Sequence, residues 1–304
     1  MAPSSRNNMI TEVKTYILFS CYFGFPPFPV LEQRLSVYIQ FLANNFKSPG
    51  AVKNYAYGLQ SFCSLKSWEF PNLSDSFFKF LFKGISRSLS HTPTQAQPLS
   101  PPVIMSLYKF FDLTSPYEAS MWAIIIVGFS MFARLSNLLP ASPGVFDPIK
   151  QLTRSDVQVA ADAVQVTVKW SKVVQCRERI IHTPLYARNG HPMCPKESLL
   201  RVVRLSPGKP GDHLFAYKSE AGLSLIIQSE FVQFLRRKLK KSGFDPDLYS
   251  GHSMRRGGAS WAFSSGVSPE LIKSHGDWKS DAYLLYLHFS VQDKLSVTRS
   301  MSLS

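Results

Sequence analysis

The sequence has few acidic residues and few cysteines for its length. Its 304 residues include 20 Asp and Glu against 34 Lys and Arg, which gives a formal net charge of +14. A positive excess of this size favours a polyanionic partner, although charge alone does not identify the polyanion. The four cysteines form no C-x-x-C pair, so the sequence predicts neither a disulfide framework nor a cysteine-rich zinc site.

A long uninterrupted hydrophobic run is also missing. The longest one, residues 121–133, contains Gly128 and Ser130 and is well short of the ~20 residues of a transmembrane helix. It predicts a buried core helix, and we expect no membrane partner. Hydrophobic residues make up 45% of the chain and aromatic residues 13%, which excludes a disordered chain and is enough for a large core.

The first hundred residues have the pattern of a small helical module. Apolar residues recur at three- and four-residue steps in segments 31–46, 49–63 and 77–85. Ser48 and Pro49 favour a helix start, because serine caps a helix and proline suits its first turn. Segment 88–102, rich in Ser, Thr, Gln and Pro, predicts an extended linker. We therefore predict a helical domain over residues 1–98 and a second domain over residues 99–304.

The second domain changes its hydrophobic period. Residues 103–111 and 117–139 have helical patterns, whereas Val164 to Trp170 alternate between apolar and polar side chains, which is typical of a strand. Segments 157–159 and 179–183 are candidate partner strands, and segments 226–241 and 255–263 are helical again. The predicted fold is mainly α with a small antiparallel β-sheet, an α+β arrangement.

Candidate functional residues are spread along this second domain. Arg134 ends the apolar 121–133 run and needs an anionic partner, which is either a structural carboxylate or a ligand. His252 and Arg255 stand three apart at a predicted helix start, which places them on one face beside free backbone N–H groups, a common way to hold a phosphate. Lys172 lies near the tip of the predicted hairpin, where lysines are either solvated or functional.

The order of these residues resembles the tyrosine recombinase (phage integrase-like) family. The shared pattern consists of Arg134, Lys172, His252-x-x-Arg255, Trp278 and Tyr286. The segments GHSMRRGGASWAF and GDWKSDAYLLYLH resemble the recombinases of DIRS-like retroelements most closely. The N-terminal segment SPGAVKNYAYGLQSF is similar to the core-binding domain of that family, so residues 1–98 are expected to clamp DNA and residues 99–304 to form the catalytic domain.

The resemblance implies a site-specific recombinase or integrase. Tyr286 would attack a DNA phosphodiester and form a 3′-phosphotyrosyl bond with a free 5′-hydroxyl, so that no cofactor is required. Arg134 and Arg255 would bind the non-bridging oxygens and stabilise the charge of the transition state, which makes a metal ion unnecessary.

The same resemblance assigns the proton transfers and the partners. Lys172 would protonate the leaving 5′-oxygen, His252 would assist, and Trp278 would donate its indole N–H to the phosphate. The implied partner is double-stranded DNA bound by a homo-tetramer, and the substrate implies a nuclear location.

Two departures from the family pattern leave alternatives open. Asn137 stands where the family commonly has an acidic residue, which predicts weaker or rearranged support of Arg134. Tyr286 follows Trp278 by eight positions, one fewer than in many relatives, so Tyr283 is a competing nucleophile. His275 is interpreted as a helix-end residue. The alternatives for the whole protein are an inactive DNA-binding remnant of a retroelement recombinase and a type IB topoisomerase-like enzyme.

A basic run in segment 236–241 is a second candidate DNA contact. It is expected on a helix with an apolar opposite side, and it is either a solvated face or a DNA-backbone or nuclear-import patch. Arg256 is either a DNA contact or a plain surface arginine. The predicted DNA-binding residues are Arg236, Arg237, Lys240, Lys241 and Arg256.

Overall fold

The computed structural model describes residues 3–89, 95–170 and 180–287, together with Leu295, Thr298, Arg299 and Met301. Lys172, Cys176 and His288 lie outside the described residues. The chain divides into two compact units, Met1–Thr94 and Gln95–Ser304, where the sequence predicted a boundary between residues 98 and 99. Within the described ranges, no helix is both long and apolar enough to cross a membrane.

The first unit is built from helices. They are α1 (Pro3–Tyr22), α2 (Glu32–Asn45), α3 (Pro49–Leu65) and α4 (Ser76–Ser88). Their shared core includes Tyr16, Leu35, Tyr38, Leu59 and Phe78, all buried. Helix α3 starts at the predicted position, but the side chain of its N-cap residue makes no capping hydrogen bond. Helix α1 was not predicted.

The second unit combines helices with a small sheet, which confirms the predicted fold class. Its helices are α5 (Pro101–Tyr108), α6 (Pro116–Ser130), α7 (Leu135–Leu138), α8 (Pro195–Leu205), α9 (Gln228–Lys241), α10 (Ser253–Ser264) and α11 (Pro269–His275). Its strands are β1 (Val157–Val159), β2 (Ala163–Val168), β3 (Ile181–Tyr186), β4 (Tyr217–Ser219) and β5 (Gly222–Ser224). Strands β1, β2 and β3 form an antiparallel sheet in which Val166 lies opposite Val157 and Thr183. A 3₁₀ helix (Asp281–Tyr286) follows α11.

Helix α6 lies at the centre of the second unit. It is buried on all sides, with Trp122 fully covered, and it contacts α8, α10 and β4. Its apolar composition therefore predicted its environment correctly.

The predicted helix over residues 117–139 is interrupted between residues 130 and 135. Helix α6 ends at Ser130, and Phe132 adopts a left-handed conformation with φ 49°. The amide of Phe132 donates to the Phe129 carbonyl and the amide of Ala133 to the Gly128 carbonyl, the hydrogen-bond pair of a Schellman motif. Arg134 consequently does not end the apolar helix but precedes the short helix α7.

Helix α10 approaches its neighbours closely through two glycines. A Cβ atom on Gly258 would lie 2.1 Å from the Phe129 carbonyl oxygen, and one on Gly257 would lie 2.0 Å from that of Leu99. Both distances are far below van der Waals contact, so only glycine allows this packing. The close approach brings Arg255, on the same helix, next to the end of α6.

Candidate active site

Five of the six predicted catalytic residues line one cleft. The cleft has a volume of about 330 Å³ and is lined by Arg134, His252, Arg255, Trp278, Lys279, Ser280, Ala282 and Tyr286. They come from the start of α7, the start of α10 and the segment after α11, which are far apart in sequence. Lys172, the sixth, lies outside the described residues, so its position stays a prediction.

Arg255 is held from behind by two backbone carbonyls. Its side chain is buried, with only 3% of the residue exposed. Nη1 donates to the Phe132 carbonyl, and Nη2 donates to the Gly276 carbonyl at 2.8 Å. Its guanidinium carbon also lies 3.6 Å from the centre of the Trp278 ring, a cation–π contact. These contacts fix the guanidinium on the floor of the cleft.

The two carbonyls that accept from Arg255 belong to two similar helix ends. Phe132 follows α6 with φ 49°, and Asp277 follows α11 with φ 51°. At the end of α11 the amide of Asp277 donates to the Ser274 carbonyl and that of Trp278 to the Lys273 carbonyl, a second Schellman motif. Non-glycine residues in this conformation are uncommon and are often found at functional sites. Arg255 thus joins the two turns that lead to Arg134 and to Trp278.

The electrostatics of the cleft are those of an anion site. Burial, and to a smaller extent the charge of Arg134, lowers the pKa of Arg255 to about 9. Burial likewise lowers the pKa of Arg134, while Asp277 and Tyr286 act in the opposite direction. Because desolvation disfavours both cations, a bound anion with two acceptor oxygens would stabilise them.

The two candidate tyrosines occupy different places. Tyr286 is partly exposed and lines the cleft, with its ring centre 5.9 Å from that of Trp278 and its backbone carbonyl accepting from Ser260 Oγ at 2.6 Å. Tyr283 is buried, packs against Trp278 and lies under the Lys273 ammonium group, 5.6 Å from its ring centre. Only Tyr286 among these two is placed where a cleft ligand can meet its hydroxyl.

His252 and Lys279 stand at the mouth of the cleft. His252 is exposed at the N-cap position of α10, three residues before Arg255 as the sequence suggested. Lys279 is exposed and follows the buried Trp278 directly. Lys279 was not predicted; its place in the motif GDWKSDAYLLYLH was the available signal.

Two contacts anchor the chain just after β2. Asn137, which is buried, donates from Nδ2 to the carbonyl of Trp170 at 2.7 Å. Lys169, the neighbouring lysine, is bound to the buried carboxylate of Asp156 at 2.7 Å. Lys169 is therefore committed to a structural ion pair, and Asn137 supports the strand end as well as lying beside Arg134.

His275 is the helix-end residue that the sequence predicted. It is the last residue of α11, and its Nε2 donates to the Ser130 carbonyl at 2.8 Å, which ties α11 to the end of α6.

The predicted surface contacts divide into two groups. Arg236, Arg237, Lys240 and Lys241 are exposed on α9, and we call them the α9 basic face. Lys238, in the same run, is buried and bound to Glu118 at 2.7 Å. The interpretation of Arg256 as a plain surface arginine is wrong: it is buried, with its guanidinium carbon 5.4 Å from the Tyr286 ring centre. Its contact with DNA stays a prediction.

Among the described residues, no three His, Cys, Asp or Glu side chains lie so that they could hold a metal ion together. The site's polar groups are instead cations and neutral donors.

Comparison with known proteins gives matches by structure and none by sequence. No family model matches the chain, and no curated protein matches it. One match is a Tn1549 transposon integrase in complex with transposon right end DNA. It covers 98% of this chain and 92% of the integrase chain, with 13% identity and a TM-score of 0.65. Another match is a XerH site-specific recombinase bound to its difH substrate. It covers 95% of this chain and 76% of the recombinase chain, with 13% identity and a TM-score of 0.61.

A lambda integrase dimer bound to a COC′ core site also matches, over 97% of this chain and 73% of its own, with 13% identity and a TM-score of 0.55. These likenesses extend over nearly the whole chain, although few residues are shared. The chain therefore has the fold of tyrosine recombinases and integrases.

Proposed function

We propose that this protein is a site-specific DNA recombinase or integrase that breaks and rejoins DNA through a 3′-phosphotyrosyl intermediate. One observation carries the proposal: the phenol of Tyr286 and the guanidinium groups of Arg134 and Arg255 line the same cleft. A nucleophile beside one buried and one partly exposed guanidinium suits attack on a phosphodiester, whose transition state concentrates negative charge on its oxygens.

The proposed step conserves atoms and charge. The Tyr286 oxygen forms a bond to phosphorus, and the bond from phosphorus to the 5′-oxygen breaks. The departing oxygen keeps the electron pair and receives a proton, while the phenol loses one. Because the phosphotyrosyl bond retains the energy of the phosphodiester, a second 5′-hydroxyl can reverse the reaction and rejoin the strands.

The two arginines have different supports and complementary roles. Arg255 is fixed by two carbonyls and a ring, so it is preorganised to bind a non-bridging oxygen without reorganisation. Arg134 follows the left-handed turn at Phe132 and is partly exposed, which leaves it oriented toward a cleft ligand. Trp278 supports Arg255 with its ring face; donation from its indole N–H to the phosphate remains part of the proposal.

The proton donors are proposed from the resemblance. Lys172 protonates the leaving oxygen, and His252 assists from the exposed N-cap of α10. Lys169, which follows β2, is engaged with Asp156, so we propose Lys172 rather than Lys169 as the acid.

The proposal extends to the partner, the assembly, the location and the family relationship of the protein. We propose double-stranded DNA as the partner, a homo-tetramer as the active assembly, a nuclear location and a relationship to DIRS-like retroelement recombinases. The +14 charge supports the nucleic-acid partner, and the quoted motifs support the relationship.

A covalent-trapping experiment tests the proposal. A duplex site is first selected by binding from a random pool and is then nicked near the cleavage position, so that a short product diffuses away and the adduct accumulates. We expect a protein–DNA complex that survives denaturation. Tyr286→Phe should abolish it, and Tyr283→Phe, the matched control from the same 3₁₀ helix, should retain it.

The other outcomes distinguish the alternatives. Binding without any adduct would indicate an inactive DNA-binding protein. Adduct formation with relaxation of supercoiled plasmid but without strand exchange would indicate a topoisomerase-like enzyme. An adduct that persists in Tyr286→Phe and is lost in Tyr283→Phe would transfer the nucleophile to Tyr283.

A further inference from the structure

A second, smaller cavity adjoins the cleft, and we call it the side cavity. Its volume is about 40 Å³, and both Arg134 and Arg255 contribute to its wall as well as to that of the cleft. Asn137 and Asp277 lie on the same wall. Of the described residues that line the two spaces, Asp277 alone has a carboxylate.

The two guanidinium groups oppose each other electrostatically. Desolvation is the largest cause of the low pKa of Arg255, and the charge of Arg134 lowers it further. Asp277 raises the pKa of both arginines: it is the largest such influence on Arg134, and on Arg255 it acts beside Tyr286, whose influence is larger. Charges between buried or partly buried groups are screened less than in water, so this carboxylate acts on both guanidiniums.

The backbone of Asp277 is fixed by a tight helix end. Asp277 has the left-handed conformation, and hydrogen bonds from its own amide and from that of Trp278 close the turn. The preceding carbonyl, that of Gly276, accepts from Arg255. The position of the Asp277 backbone relative to Arg255 is therefore set by the helix end.

Asn137 does not supply a compensating charge. It is neutral, and its amide donates to the Trp170 carbonyl.

We propose that Asp277 is the counter-charge that allows Arg134 and Arg255 to stand together in the cleft, and that it is a positioning residue for the DNA strand transfer described above. The inference rests on the proposed function for its kinetic consequence. Without the carboxylate the two guanidiniums repel each other. Arg134, which has the freer side chain, then moves away from the position in which it binds the phosphate.

The decisive variant is Asp277→Asn. Asparagine tolerates the left-handed conformation as aspartate does, so the substitution removes the charge and keeps the turn. Asp281→Asn is the matched control, because it removes the same charge four positions later from an exposed ion pair with Lys273. Both variants are compared in DNA affinity, in the single-turnover rate of adduct formation and in melting temperature with sodium chloride or inorganic phosphate at equal ionic strength.

We expect Asp277→Asn to slow adduct formation roughly 10- to 100-fold while DNA affinity is unchanged or increases, because a negative charge has left a DNA-binding cleft. A residue that only maintained the fold would lower both. We also expect Asp277→Asn to melt at a lower temperature than Asp281→Asn in chloride. Phosphate should raise the melting temperature of Asp277→Asn more than that of Asp281→Asn.

Three results would overturn the inference: an Asp277→Asn rate equal to the native rate, a joint loss of affinity and rate, or melting behaviour identical to that of Asp281→Asn. The melting comparison does not depend on catalysis. If the native chain forms no adduct, the proposed function fails while the role of Asp277 is still decided by the melting temperatures.

Discussion

Replacing Gly258 by alanine tests the packing that builds the cleft. The added Cβ would lie 2.1 Å from the Phe129 carbonyl oxygen and 2.4 Å from the ring of Phe132. Ordinary contact begins at 3.4 Å, so α10 and the end of α6 must separate by about 1.3 Å. A backbone carbonyl cannot rotate away as a flexible side chain can, which makes the separation unavoidable.

The size of the effect follows from that displacement. Overpacking of this kind costs about 1–3 kcal/mol of unfolding free energy. Phe132 also provides the carbonyl that accepts from Arg255, so the shift misplaces the guanidinium. A displacement of about 1 Å at a reacting group can lower a rate roughly 100-fold, and we expect a loss of that order in adduct formation.

The assay is urea unfolding followed by circular dichroism, combined with the single-turnover rate. Gly84→Ala is the matched control, because Gly84 is exposed within α4 and an added Cβ would meet no atom within 4 Å. That variant should be stabilised by roughly 0.5–1 kcal/mol, since alanine favours a helix. A Gly258→Ala protein with the native midpoint and rate would refute the packing argument.

Two further predictions concern pH and salt. Burial lowers the pKa of His213 to about 4, and its Nε2 donates to the Leu138 carbonyl of α7 at 2.9 Å. As the pH falls, His213 is therefore protonated in the unfolded chain before it is protonated in the folded chain. The free energy of unfolding should fall by up to about 3 kcal/mol as pH decreases from ~6.5 to ~4. Urea midpoints measured across this range should decline for the native protein and less for His213→Gln, and equal slopes would contradict this. Substituting the α9 basic face with glutamine should weaken DNA binding and reduce the slope of log Kd against log salt by up to about one per lost phosphate contact, whereas an unchanged slope would mean that this face is only solvated.

Local patterns predicted most of the individual elements. The alternation of Val164, Val166 and Val168 gave strand β2, and Pro49 marked the start of α3, because both signals depend on neighbouring residues only. The order of residue types around Arg134, Arg255 and Tyr286 named the candidate chemistry. Five of the six side chains that the sequence grouped by resemblance line one cleft, while Lys172 lies outside the described residues and the assigned roles await the proposed experiments.

Other features could not be obtained in this way. The left-handed residues Phe132 and Asp277 carry no glycine signal, so the break between α6 and α7 was missed. Burial of Lys238 and Arg256 likewise depends on Glu118 and Tyr286, which are distant in sequence. A charged residue in a basic run has the same local pattern whether it faces solvent or a partner.

The sequence by itself determined the helical and strand periods, the positive charge and the set of residue types suited to phosphate chemistry. The tertiary structure alone decided that Arg255 is anchored on two helix ends, that Tyr286 rather than Tyr283 lines the cleft, and that Asp277 shares a cavity with both arginines. The physical reason is that hydrophobic period and propensity act over a few residues, whereas burial and the field of a charge depend on which distant segments pack together.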